Sequence, residues 1–477
     1  MARATRFFRP LLTRRKASFT VSLMVSVPSW ALAAPKASSS MSTRCLLTVC
    51  IVYTACSTYI RGCASRESTA TRTGMVGTLD DGSSVAIGDL NVAFILVGAA
   101  DATLLPFIPL YLFERGFSAP AIGFVLAAAA LASFIAGPTW AYLADHRLGL
   151  ENTVVLAGSI GAAVALLLAA AHTTIAVAAV TVALWVARAP VISLLDAIAL
   201  QRLRTASRVG YARIRLRMSA GWAASVVLSG GLFQVAGLRL IPFVYAPMAL
   251  LAGLWVWHAR TRGVASQRAE PAPNLPRVRR LNPMPLALIG FLVSALLLGS
   301  AFAATSNFVT LRISILGGGA LLVGAAAAFQ ALTEIPTMAY THVLLRYLSH
   351  RMLYVAGAGV YLLVFIAWAL VSDALATALL KLVLGVGFAL TYVGAVLIAD
   401  DVAPLHLRAT AQALVKAVSG GLAPVIGALG GGIIFGAFGS GAMFTAAAAV
   451  AAGAAVMAMI ALPARSPRQV PRPSTII

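Results

Sequence analysis

Apolar runs of roughly 18–25 residues recur along most of this chain, separated by short polar links, and no other feature restricts the fold so strongly. As a helix rising ~1.5 Å per residue, a run of that length crosses the ~30 Å of hydrocarbon in a bilayer. Composition points the same way. Of 477 residues, 60% are hydrophobic and only 10% charged, too few charges to cover a soluble surface. The net charge of +22 invites nucleic acid as a partner, yet the arginines sit in the links between apolar runs. That is the placement of the positive-inside rule, and no basic stripe interleaved with aromatics exists to hold a nucleic acid. The expectation is an all-α polytopic membrane protein.

Reading from the first convincing run, spans are predicted at 90–113, 120–144, 153–171, 174–200, 214–236 and 240–258, then at 286–309, 320–345, 352–371, 374–399, 408–437 and 440–462. This gives an N-terminal six-helix bundle (85–258), a linker rich in Arg and Pro (259–285), a C-terminal six-helix bundle (286–462) and a basic tail (463–477). One set of links carries Arg202, Arg204, Arg208, Arg213, Arg215 and Arg217, the linker arginines, Arg346, Arg351 and the tail arginines. The opposite set has little beyond Arg115, Arg239 and Arg312, so both ends of the helical body are predicted to be cytoplasmic.

Residues 1–84 form an atypical extension. Its first 74 residues are rich in Arg and Ser, with Glu67 as their first acidic residue. Three readings fit: a targeting peptide, a signal-like or additional membrane segment, or an over-extended start upstream of Met75. All four cysteines (Cys45, Cys50, Cys56, Cys63) fall here at spacings that match no zinc pattern. The histidines, at positions 146, 172, 258, 342, 350 and 406, form no metal-spaced group, so no metal and no cofactor is expected.

The two halves echo each other. Phe107, Leu110, Gly116 and Gly123 recur 201 residues on as Phe308, Leu311, Gly317 and Gly324. Ser219, Gly221, Gly230 and Gly231 recur 200 residues on as Ser419, Gly421, Gly430 and Gly431. Parallel repeats of this kind underlie alternating access about a midplane site.

Several stretches carry a family resemblance. PFIPLYLFERGFSAPAIG leads into AGPTWAYLADHR. PVISLLDAIAL precedes Tyr211-Ala212-Arg213-Ile214-Arg215. ALTEIP surrounds Glu334, and PLHLRATAQAL follows Asp401. In their order and spacing these segments resemble the major facilitator superfamily, and within it the lactose-permease-like branch that includes phenylpropionate and nucleoside permeases. Asp145 and Arg147 match the acidic and basic positions of the superfamily's loop between helices two and three. The resemblance implies a multi-pass protein of the plasma (inner) membrane. It implies proton-coupled transport of a small organic solute (an organic acid, sugar or nucleoside) by a monomer. The cavity is expected to be lined by spans one, four, seven and ten.

Ionisable residues inside the bilayer cost about 2.5–3.5 kcal/mol each at its centre, so every one needs a reason. Asp101 and Arg188 lie midway along spans one and four, either as a structural ion pair or as a proton site and a solute contact facing each other across the cavity. Trp185 shares the face of Arg188. Asp196 is expected to gate against Arg213, Arg215 and Arg217. Glu334 is either a protonated carboxyl bonded to a neighbouring helix or a proton site. Lys381 is expected to snorkel to the surface; if it points inward, it favours an anionic solute. Asn307, Tyr392 and Phe388 are candidates for the cavity wall, or else packing contacts. The competing function within transport is proton-driven efflux of amphipathic compounds, which would favour a larger, more aromatic and less cationic cavity. An enzyme or ATP-driven pump is disfavoured, because no Walker loop, HExxH or GxSxG is present.

Overall fold

The structure is a computed structural model and describes residues 81–203, 211–262, 285–404 and 407–463. Residues 1–80, most of the linker and all but the first residue of the tail lie outside the described residues. So do the four cysteines, His406, the side chain of Arg213 and most of the link and tail arginines.

Among the described residues, eleven helical stretches are long and apolar enough to cross a membrane. The last, Thr410–Ala461, has 52 residues. A straight helix of that length would reach about 78 Å, far beyond one bilayer. It turns back at Gly439 (φ 83°), so it supplies two spans and the total is twelve. The first bundle consists of span one (Asp81–Leu104 and Ile108–Glu114), two (Ala119–Leu143), three (Leu150–Ala170), four (Thr174–Arg188 and Val191–Leu203), five (Tyr211–Ala236) and six (Ile241–Arg262). The second consists of span seven (Leu286–Ile315), eight (Ala320–Leu344), nine (His350–Leu370), ten (Ala374–Val402), eleven (Arg408–Ala417 continuing through residue 438) and twelve (residues 440–461).

Prolines explain where helices break. Spans one and four lose helical pairing around Pro106 and Pro190, which lack the N–H that an intact helix needs. Pro138, Pro247 and Pro336 are carried inside spans two, six and eight without ending them. Single π-turns interrupt the helical course at Ala144–Leu148 and Val418–Leu422.

The sequence repeat is a structural repeat. Span one packs on five and six, three on six, and two on four; correspondingly, seven packs on eleven and twelve, nine on twelve, and eight on ten. Phe107 and Phe308 are both fully buried. Gly116 (φ 85°) and Gly317 (φ 86°) close the ends of spans one and seven in the left-handed region, which a Cβ disfavours. Arg115 and Arg312 share a further role. Arg115 Nη1 donates to Ala171 O at 2.9 Å at the end of span three, and Arg312 Nη2 donates to Val371 O at 2.9 Å at the end of span nine. Each guanidinium satisfies a terminal helix carbonyl where the macrodipole is negative.

The bundles meet backbone to backbone at the end opposite the Arg-rich links. A Cβ on Gly123 would lie 2.4 Å from Ala428 O, and one on Gly324 would lie 2.4 Å from Val226 O. Small residues let helices approach this closely where lipid supplies no hydrophobic drive. Spans two and eleven, and five and eight, are thereby held together at that end.

Candidate functional site

Below these contacts lies a cavity of about 500 Å³ between the bundles, with wall residues from spans one, two, four, five, seven, eight, ten and eleven. Its two sides differ in chemistry. The first bundle contributes mostly apolar and aromatic surface: Leu105, Leu126, Trp185, Met218 and Trp222, with Ser219 and Arg215. The second contributes a polar group, Ser306, Asn307, Thr310, Gln330, Glu334 and Lys381, beside Phe302 and Phe388. Arg215, its side chain 39% exposed, forms part of the wall near the Arg-rich end.

Helix periodicity explains the polar group. Gln330 and Glu334 stand four residues apart in span eight and share a face. Lys381 and Phe388 stand seven apart in span ten, two turns along one face. Spans eight and ten touch closely, for a Cβ on Gly385 would lie 2.3 Å from Gln330 O. That contact turns Lys381 towards span eight. The lysine is 7% exposed, and its Nζ donates to Gln330 Oε1 at 3.1 Å. The snorkelling expectation is therefore corrected: this lysine is buried between helices at the cavity wall. Glu334 has no hydrogen-bond or ion-pair partner among the described residues. The alternative of a carboxyl bonded to a neighbouring helix is thus not seen.

Asp101 and Arg188 meet, but not where expected. Arg188 Nη2 and Nε donate to Asp101 Oδ1 at 2.8 and 3.3 Å. The pair lies inside the first bundle, in a small separate pocket with Val154, Gly158, Tyr245 and Gly253 from spans three and six. The expectation that the two face each other across the cavity is corrected. The reason is packing: span one lies against span six, and Asp101 is 6% exposed. Trp185 separates the two regions, since it forms cavity wall and its ring lies 5.5 Å from the Arg188 guanidinium.

The remaining candidates divide. Asn307 lines the cavity. Tyr392 does not; it is half exposed and stacks on Phe388 at 5.9 Å between ring centroids. Asp196 Oδ1 accepts from Arg215 Nη1 at 3.1 Å, while Arg217 is exposed. Asp145 and Arg147 are exposed on the π-turn after span two. Sequence reading passed over Gln330, Trp222, Phe302, Ser306 and Thr310. Gln330 carried a usable signal in its four-residue spacing from Glu334. The others are residue types common in packed helices, and nothing local marks them.

Comparison with known proteins places this architecture. A family model described as the MFS_1-like family matches residues 89–446. A maltose permease of Geobacillus stearothermophilus is 24% identical over 352 residues, covering 74% of this chain and 88% of that protein. Among solved structures, a mutant form of the nucleoside transporter NupG superposes with a TM-score of 0.68 at 17% identity, covering 79% of this chain and 100% of that one. The POT family transporter PepTSo gives a TM-score of 0.63 at 13% identity, covering 81% and 98%. These relatives are all membrane transporters, none an enzyme. With twelve spans in two repeated bundles around a central cavity, and a family match across both, this chain belongs to the MFS_1-like family and is a multi-pass transporter of the major facilitator type.

Proposed function

We propose that the chain is a proton-coupled symporter of a small organic solute in the plasma membrane, working as a monomer with both ends of its helical body in the cytoplasm. The observation that carries this reading is Glu334: a carboxyl on the cavity wall, one helical turn from Gln330, with no partner among the described residues. A carboxylate at membrane depth with no fixed counter-ion is costly, and taking up a proton removes the cost. Glu334 can therefore exchange a proton as the cavity alternates between the two sides. Polar groups on one wall and Trp185 and Trp222 on the other suit a solute with both hydrogen-bonding and flat apolar surface. The named cargoes of the relatives, maltose and nucleosides, are small organic solutes of this scale. Efflux of amphipathic compounds suits the aromatic part of the wall as well, but is less well supported because Lys381, with no carboxylate partner among the described residues, keeps a cation in that wall.

The test is uptake into proteoliposomes under an imposed pH gradient, screened over sugars, nucleosides and organic acids. Glu334→Gln keeps the side-chain volume but cannot ionise. It is expected to abolish pH-driven accumulation while sparing exchange of solute across the membrane, since exchange does not require the proton to leave. Normal accumulation by this variant would refute the assignment.

A further inference from the structure

Three charged side chains belong to the cavity wall among the described residues: Arg215, Glu334 and Lys381. The charge on Arg215 is balanced by Asp196 at 3.1 Å. Lys381 is different. It has no carboxylate in ion-pair contact among the described residues, and its one polar partner is the neutral Gln330 Oε1. An ammonium has three donors, so two remain for something that enters the cavity. Of the residues that line the cavity together with Glu334, Lys381 on span ten and Arg215 on span five are charged. Tyr361, buried on span nine, is a further titratable neighbour among the described residues.

Charge accounting then restricts the solute. With Glu334 ionised and the cavity empty, the two unbalanced groups, Lys381 and Glu334, sum to zero. With Glu334 protonated the wall holds one net positive charge. Enclosing a net charge between two closing bundles is unfavourable at low dielectric. A monoanion restores zero; a neutral solute leaves the positive charge, and a dianion overshoots. We infer that the transported solute is an organic monoanion seated on Lys381 and Gln330, and that it moves together with the one proton taken by Glu334, so that the loaded step carries no net charge.

The shape of the wall extends the description. Phe388 lies two turns from Lys381 on the same face, and its ring centroid is 5.4 Å from that of Phe302. A carboxylate held at Lys381 therefore has an aromatic surface two turns (~10 Å) further along the same cavity wall for an apolar body. The proton is bound and released without any change to the solute, so the step balances as one proton and one anion. This inference rests on the symport reading above.

Calorimetry on the purified full-length protein, with benzoate, cinnamate and hexanoate each set against its primary amide, decides the matter. Removing the charge of a hydrogen-bonded anion is expected to weaken binding at least about tenfold, so the acids should bind and the amides should bind that much more weakly. Repeating the titration in buffers of different ionisation enthalpy should show one proton taken up per anion bound. Lys381→Met should reduce acid binding to the level of the amide, and Lys381→Arg should restore the preference for the acid, which separates loss of the cation from loss of fold. Glu334→Gln should bind the acid without proton uptake. Protein reconstituted on a solid-supported membrane should give no net current when the acid is supplied. Equal binding of acid and amide, unchanged acid binding in Lys381→Met, or no binding of any acid would each overturn the inference. Neutral sugars or nucleosides binding with a proton that Glu334→Gln abolishes would overturn the monoanion while leaving symport intact. Acid binding with no proton uptake would instead refute the coupling itself.

Discussion

Replacing Asp101 by alanine leaves the Arg188 guanidinium inside the first bundle without its carboxylate, and a guanidinium cannot shed its charge. The pair is well enclosed, with side chains 16% and 9% exposed and two N–H donors converging on one oxygen at 2.8 and 3.3 Å. Removing one partner of a buried ion pair costs about 3–5 kcal/mol. Insertion scales give a similar ~2.5–3.5 kcal/mol for an unpaired charge at this depth. Asp101→Ala should fall in the upper part of the first range. Arg188→Ala should cost about 3 kcal/mol, because the remaining carboxyl can escape by taking up a proton; within that figure, the lost stacking on Trp185 is worth ~0.5–2 kcal/mol. Independent effects would sum in the double variant. A true pair predicts instead a double variant less destabilised than that sum, with a coupling approaching about 3 kcal/mol. The assay is reversible unfolding in mixed detergent, supported by the amount of folded protein recovered from membranes. Additivity within about 0.5 kcal/mol would refute contact. Because the pair lies outside the cavity and Trp185 forms the wall, the double variant is also expected to keep solute binding.

Other consequences follow from the same geometry. Gly324→Val places its Cβ 2.4 Å from Val226 O, so spans five and eight cannot stay in contact; labelling of Asn307→Cys by a membrane-impermeant thiol reagent from that side should rise, and unchanged labelling would argue against closure there. Arg312→Ala removes donors to Ser440 Oγ at 2.6 Å and Val371 O at 2.9 Å, and should cost about 1–3 kcal/mol in detergent unfolding, with Arg115→Ala behaving alike. Reporter fusions should place residues 259–285 and 463–477 in the cytoplasm; labelling of either from outside intact cells would reverse the orientation.

The spans were legible because lipid imposes a local rule. Each segment must be apolar over a fixed length whatever its neighbours are, so twelve spans could be read one at a time. Even the final pair, continuous through 52 residues of helix, was separated correctly near Gly439. The repeat was legible too, because positions such as Gly116 and Gly317 answer to backbone conformation rather than to partners. Glu334 stood out for an equally local reason, as a carboxyl in an apolar run.

Direction within a bundle is another matter. Asp101 and Arg188 were recognisable as mid-membrane charges. That they turn inward to Tyr245 rather than to the cavity depends on how span one lies against span six, and no run of residues encodes that by itself. Lys381 was misjudged for the same reason: its depth in span ten suggested an escape to the surface, whereas the close approach of span eight at Gly385 encloses it beside Gln330. Hydrophobicity along the chain therefore determined which segments cross and roughly where. Tertiary structure decided which face of each helix meets the cavity, because the rotation of a helix is set by side-chain fit against neighbours distant in sequence.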